Sequence, residues 1–152
     1  MKITFLHNGY ESLGVEYLSA SLKKAGFRTS LVIDPCLFDE SGFWRSKTAA
    51  RFFNFKKRIL SELAAERPDM VCFSVFTDNY RWALDWAKKI KESLKVPIVF
   101  GGIHPTSAPE RVISENCVDF LAIGEADLSL PAIAGAVSSG DKGPIDNVWH
   151  KE

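Results

Sequence analysis

The sequence predicts a three-layer α/β sandwich built on a five-stranded parallel sheet. Two observations predict it. Short apolar runs alternate along the chain with stretches whose apolar residues recur every three or four positions, so strand and helix alternate. The central runs, Met70–Val75 and Val96–Phe100, are apolar at nearly every position, as strands covered on both faces are. Strand–helix alternation of this kind calls for parallel strands joined by crossovers, with helices on both faces.

The elements follow in order. Lys2–Leu6 is the first strand. Leu13–Ala25 carries Leu13, Tyr17, Leu18, Leu22 and Ala25 on one stripe, with Ser12 placed to cap its start and Gly26 to end it. Thr29–Ile33 is the second strand, and Phe38–Trp44 is irregular and aromatic. From Ser46 to Glu66, residues Phe52, Phe55, Ile59, Leu60 and Leu63 fit one helix face, until Arg67-Pro68-Asp69 breaks it. Met70–Val75 is the third strand. Asp78 opens a helix whose buried stripe is Trp82, Trp86, Ala87, Ile90 and Leu94. Val96–Phe100 is the fourth strand. Ser107-Ala108-Pro109-Glu110 has the form of a capping box, with Pro109 in the first turn of a helix that runs to Glu115. Asp119–Ile123 is the fifth strand, Gly124-Glu125-Ala126 a turn, and the last helix runs from Asp127 to Ser139. Residues 140–144 read as a loop, and Ile145–Glu152 as the beginning of a further segment. The default strand order for five such units is the flavodoxin-like 2-1-3-4-5.

Composition narrows the function. A chain of 152 residues suits one domain. Its 19 basic and 19 acidic residues cancel, which gives no electrostatic reason to expect nucleic acid or an anionic membrane surface. No apolar run approaches the roughly 20 residues that span a bilayer, and Met1–His7 turns polar too soon for a signal peptide. The expectation is a soluble, cytoplasmic protein. Cys36, Cys72 and Cys117 are far apart and form no C-x-x-C, so neither a zinc site nor an iron–sulfur cluster is readable, and all three are expected as buried or half-buried thiols.

In open α/β sheets ligands bind beyond the carboxyl ends of the strands. Those places hold residues 7–14, 34–36, 74–80, 101–106 and 124–126. A phospho-acceptor site would need an acidic pair after the first strand and an aspartate ending the third, where this chain has His7-Asn8 and Ser74. A flavin-phosphate loop would need hydroxyls where Glu11 would repel a phosphate. A dinucleotide loop would need G-x-G-x-x-G, which Gly9 and Gly14 do not supply.

What remains is Ser74 closing the third strand and Gly101-Gly102 closing the fourth. This resembles the cobalamin-binding domain of methionine synthase and the corrinoid mutases, which reads D-x-H-x-x-G, then S-x-L or S-x-T, then G-G. The resemblance implies that the dimethylbenzimidazole tail of the cofactor enters the core between the first and third strands. Ser74 would hydrogen-bond the base, and Gly101 and Gly102 would leave room for the tail. Aligned on Gly14, the family's cobalt-ligating histidine falls at Glu11 and its aspartate at Gly9, so no lower histidine ligand is expected.

The stretches YESLGVEYLSASLKKAG, FSVFTDNYRWALDWAKKI and VFGGIHPTSAPE look like the N-terminal domain of cobalamin-dependent radical S-adenosylmethionine enzymes, among them the anaerobic magnesium-protoporphyrin ester cyclase group. VDFLAIGEAD fits their fifth strand and turn. On this resemblance, residues 1–139 are a cobalamin-binding domain and 140–152 a linker toward a radical S-adenosylmethionine barrel. The parent would also carry a 4Fe-4S cluster and S-adenosylmethionine, while this domain alone would catalyse nothing. The implied cofactor-binding residues are Asn8, Gly9, Tyr10, Glu11, Ser12 and Gly14 after the first strand, and Ser74, Val75, Phe76, Thr77 and Tyr80 after the third. Gly101, Gly102, Ile103 and His104 follow the fourth strand, and Gly124 and Glu125 the fifth. Two other readings stay open: a module for another small ligand such as a flavin or nucleotide, and a non-binding regulatory domain in which the space beside Gly101 and Gly102 is filled.

Overall fold

A computed structural model of the chain describes residues 1–9, 11–36, 55–141 and 143–151. Its five expected strands are β1 (Lys2–Asn8), β2 (Arg28–Asp34), β3 (Met70–Ser74), β4 (Ile98–Gly101) and β5 (Phe120–Ala122), all mutually parallel where they pair. The sheet has a sixth strand, β6 (Val148–His150), in the order β2-β1-β3-β4-β5-β6. β6 pairs antiparallel with β5, Ala122 opposite Val148, so the five-stranded expectation is corrected. Three residues at an edge carry too little apolar periodicity to announce themselves. Only the exposed side of β5 makes them a strand, and they lie within the segment read as a linker.

The helices are α1 (Leu13–Lys24), α2 (Lys56–Glu66), α3 (Tyr80–Leu94), α4 (Ile103–Ser107), α5 (Pro109–Ile113) and α6 (Ser129–Ser139). The aromatic stretch Phe38–Trp44 and the expected helical residues before 55 lie outside the described residues. Side chains alternate across the strands. Ile3, Phe5, Cys72, Val99 and Ala122 pack against Val15 and Leu22 of α1 and Leu130 and Ile133 of α6. Leu6, Val71, Phe73, Phe100 and Leu121 pack on the other face against Ile59 of α2 and Trp86 and Ile90 of α3. All three cysteines are buried, as expected.

Neither serine read as a helix cap makes a capping bond. Ser12 stands at the N-cap of α1 but makes no capping bond. Ser107 is no cap at all. The chain is already helical from Ile103, so the Ser107 hydroxyl donates back to the Ile103 carbonyl at 2.9 Å, and Ala108 takes the N-cap of α5. The end of α1 is as read: with Gly26 at φ +90°, its N–H reaches the Lys23 carbonyl and that of Phe27 the Leu22 carbonyl, both at 3.0 Å.

At the carboxyl edge the loops are tied together. Asn79, 4% exposed, accepts the Phe76 N–H on Oδ1 at 2.8 Å and donates through Nδ2 to Asn8 Oδ1 at 3.0 Å and the Ser74 carbonyl at 3.2 Å. One amide thus joins the ends of β1 and β3. Val75 donates to the Gly101 carbonyl at 2.8 Å and accepts the His104 N–H at 3.1 Å. Thr106 Oγ1 donates to the Gly102 carbonyl at 2.8 Å and accepts the Gly124 N–H at 2.9 Å. Farther along the edge, Asp34 is 4% exposed and accepts both indole N–H groups of Trp82 and Trp86 on Oδ2 at 2.8 Å, with the Cys36 N–H on Oδ1 at 3.1 Å. That carboxylate fastens α3 to β2.

The two adjacent glycines have different reasons to be glycine. Gly102 sits at φ +103°, ψ −168°, a region that is essentially glycine-only. A Cβ there would stand 2.9 Å from the Val75 carbonyl oxygen. A Cβ on Gly101 would meet only Ala122, its Cβ at an ordinary 3.6 Å and its carbonyl oxygen at 3.9 Å. The sequence expectation gave both residues to ligand space, but at Gly102 the backbone itself demands glycine. Gly102→Ala is therefore expected to cost about 2 kcal/mol or more, since such strain alone is worth about 1–3 kcal/mol. Gly101→Ala should cost less than about 1 kcal/mol because its methyl meets an ordinary contact. Urea unfolding of the two variants side by side checks the difference. Asn79→Leu strands three polar partners and should lose about 2 kcal/mol or more, with faster hydrogen exchange at the Phe76 amide.

Candidate functional site

The strand register places three small residues side by side at the carboxyl edge. Ser74 pairs with Gly101, and the β4–β5 register of Val99 with Phe120 and Phe100 with Leu121 sets Ala122 beside Gly101. One row deeper, Phe5 pairs with Cys72 and Cys72 with Val99. Above these rows, under α1 and the start of α6, lies a slot of about 170 Å³. Phe5, Cys72, Val99 and Ala122 line it on the sheet side, Gly14 and Leu18 on the α1 side, and Ala126 and Leu130 on the α6 side. Gly102, Gly124, Glu125 and Tyr17 also border it.

The slot is apolar and nearly uncharged. Glu125 and Tyr17 are exposed. Burial pushes the Cys72 thiol well above its ordinary value, so it stays neutral. Ser74 is half-buried, and its hydroxyl finds no hydrogen-bond partner among the described residues. An apolar slot with the Ser74 hydroxyl at its rim suits a planar, mostly carbon ring carrying an acceptor.

The structure divides the residues expected to form the site. Gly14, Ser74, Gly101, Gly102, Gly124 and Glu125 come together around the slot. Val75, Phe76, Thr77, Tyr80, Ile103 and His104 do not line it. Of these, Phe76 and Ile103 are 41% and 64% exposed along the carboxyl edge. His104 lies over the Tyr80 ring with centroids 4.2 Å apart, and its Nδ1 is 3.2 Å from Thr77 Oγ1. His104 Nε2 and the Tyr80 hydroxyl are buried without a hydrogen-bond partner. Burial, then Glu115, pushes the Tyr80 phenol above its ordinary value.

After β1, Asn8 belongs to the Asn79 bridge, and Gly9 at φ +81° donates to the Asp34 carbonyl at 2.7 Å. Glu11 is exposed and Ser12 half-buried, while Tyr10 lies outside the described residues. His7, only 7% exposed, holds its own chain through Nδ1 and the Asn8 carbonyl at 2.9 Å.

Sequence reasoning missed the floor. Phe5, Leu18, Cys72, Val99, Ala122 and Leu130 line the slot and were read only as parts of strands and helices, and Ala126, which also lines it, only as part of a turn. A signal existed: Cys72 lies two residues before Ser74 on the same strand face, and two alanines bracket Gly124. Among the described residues there is no group of three or more histidine, cysteine or acidic side chains able to hold a metal. None of their helices is long and apolar enough to cross a membrane.

The radical S-adenosylmethionine methyltransferase TsrM from Kitasatospora setae, solved with tryptophan substrate and a SAM analog bound, superposes with a TM-score of 0.76 at 18% identity. That match covers 100% of this chain and 29% of TsrM. The cobalamin-dependent S-adenosylmethionine radical enzyme OxsB, with aqua-cobalamin and S-adenosylmethionine bound, gives 0.73 at 13% identity over 99% of this chain and 21% of its own. The methanol:cobalamin methyltransferase complex MtaBC from Methanosarcina barkeri gives 0.54 at 16% identity, over 95% of this chain and 48% of that one. No curated protein matches the sequence significantly. At these identities the likenesses establish the fold, a flavodoxin-like α/β domain in which this chain spans under a third of TsrM and OxsB. A family model described as B12 binding domain matches residues 6–134, which is most of the chain, and the chain belongs to the B12-binding domain family.

Proposed function

We propose that the chain holds cobalamin by its tail, with the dimethylbenzimidazole in the slot beside Ser74, Gly101 and Ala122. The observation that carries this reading is the slot itself: an apolar space of about 170 Å³ beneath a row of small residues, with the half-buried Ser74 at its rim. The residues fit the group. Gly101 adds no side chain where a Cβ would project to 3.6 Å from Ala122, and the Ser74 hydroxyl is available to donate to the free ring nitrogen. Gly124 and Glu125 stand where the ribose and phosphate would leave the slot. The corrin would lie over the loops of Asn8–Ser12, Val75–Thr77 and Ile103–His104.

On this reading no protein histidine ligates the cobalt. Glu11 occupies the place of the histidine found in methionine synthase-like domains. His7 uses Nδ1 on its own backbone, and His104 is stacked on Tyr80 beside Thr77. Neither lines the slot. Bound cobalamin supplies a cobalt centre whose reactivity depends on its axial ligands. The chain's part is to grip the tail, keep water from the base and hold the loops that face the ring. We further propose that residues 1–139 serve as the cobalamin module of a radical S-adenosylmethionine enzyme. Residues 140–152 would lead toward its barrel, where a 4Fe-4S cluster and S-adenosylmethionine would act. The open slot argues against a non-binding regulatory domain, in which that space would be filled.

Titration with hydroxocobalamin tests the reading. Visible absorbance should report release of the tail from cobalt, and the melting temperature should rise by mass action. Ser74→Tyr and Gly101→Leu, which fill the slot, should abolish both responses. Wild-type absorbance and melting temperature that stay flat through the titration would overturn the proposal.

A further inference from the structure

The floor of the slot is chemically narrow. Phe5, Cys72, Val99, Ala122 and Leu130 are each no more than 3% exposed, and none carries a strong hydrogen-bonding side-chain group. Cys72 and Val99 sit face to face in the ladder between β3 and β4, so their backbone polar groups lie within the sheet rather than toward a ligand. Ser74 offers a half-buried hydroxyl above this floor, while Tyr17 and Glu125 border the slot from its exposed side. The volume, about 170 Å³, is of the size at which an apolar cavity admits an aromatic ring.

Cobamides differ in the base at the end of the tail, and two common classes of base make opposite demands on such a floor. A benzimidazole presents one free ring nitrogen, and the rest of its buried edge is carbon. A purine such as adenine presents an exocyclic amine and additional ring nitrogens. In this slot one of those polar groups can reach Ser74, and the others would be buried against Phe5, Val99, Ala122 and Leu130 without partners. We infer that the slot selects cobamides by their lower base, taking benzimidazole tails and rejecting purine tails. The inference rests on the tail-burial reading above and adds the discrimination to it.

The test is an equilibrium titration of the protein with three corrinoids: hydroxocobalamin, the adenine-tailed cobamide and cobinamide, which has no base. An unsatisfied buried polar group weakens binding by about 10- to 100-fold, so the adenine-tailed form should bind weaker than cobalamin by that factor. Cobinamide should also bind weakly. Equal affinity for the two base-bearing forms, with cobinamide weak, would overturn the selectivity and leave tail burial standing. Failure of all three to bind would overturn the cofactor reading itself, and cobinamide binding as tightly as cobalamin would overturn tail burial and the selectivity with it. Val99→Thr keeps the shape of the floor and adds a hydroxyl, so it should narrow the ratio between the two bases by several-fold. A ratio unchanged in that variant would overturn the assignment of the selectivity to the floor.

Discussion

The carboxyl edge depends on how closely the chain leaving β4 passes the end of β3. Gly102 lies so near Val75 that a methyl group would press on its carbonyl oxygen at 2.9 Å. That approach lets the Val75 carbonyl accept the His104 N–H, which starts the short helix α4 immediately after the strand. The helix then brings Thr106 to where its hydroxyl spans the Gly102 carbonyl and the Gly124 N–H. One close contact therefore sets three loops, and those loops form the rim of the slot. Lifting the chain at Gly102 would release the His104 bond, the Thr106 bridge and the Gly124 turn together.

The two faces of the sheet are built to different standards. On the α2–α3 face, Trp86 and Phe100 are fully buried, and the Asp34 carboxylate, out of water, is served by three N–H groups. A buried carboxylate without such donors would be strongly destabilising. With them it becomes a fixed point that ties α3 to the sheet. On the α1–α6 face, small residues leave apolar walls unfilled near the edge. An unfilled apolar space of this size costs on the order of a few kcal/mol, and a ligand that fills it returns that cost as affinity. The closely packed face gives the open one a rigid floor.

The division among the expected site residues has the same origin. Gly101 and Gly102 are neighbours in sequence and both border the slot, yet only Gly102 is also required by the backbone. His104 follows two residues later and turns onto Tyr80, away from the slot lining. A loop of six residues thus serves a cavity, a backbone clamp and a ring stack in succession. Phe76 and Ile103 remain exposed along this edge.

The sequence by itself determined the alternation of strand and helix, the order of the first five strands and the loops that had to carry a site. Those properties follow from local periodicity and from the rule that parallel sheets bind beyond their carboxyl ends. Ser74 and Gly101-Gly102 were legible as well, through the resemblance of their spacing to that of cobalamin-binding domains. The tertiary structure decided the rest. β6 needed the exposed side of β5 to become a strand. Ser107 lost its capping role because the Gly102–Val75 contact had already started a helix upstream. Phe5, Cys72, Val99 and Ala122 became a slot floor only when the register of four strands set them in adjoining rows. Register is a relation between strands distant in the chain, and no window of sequence contains it.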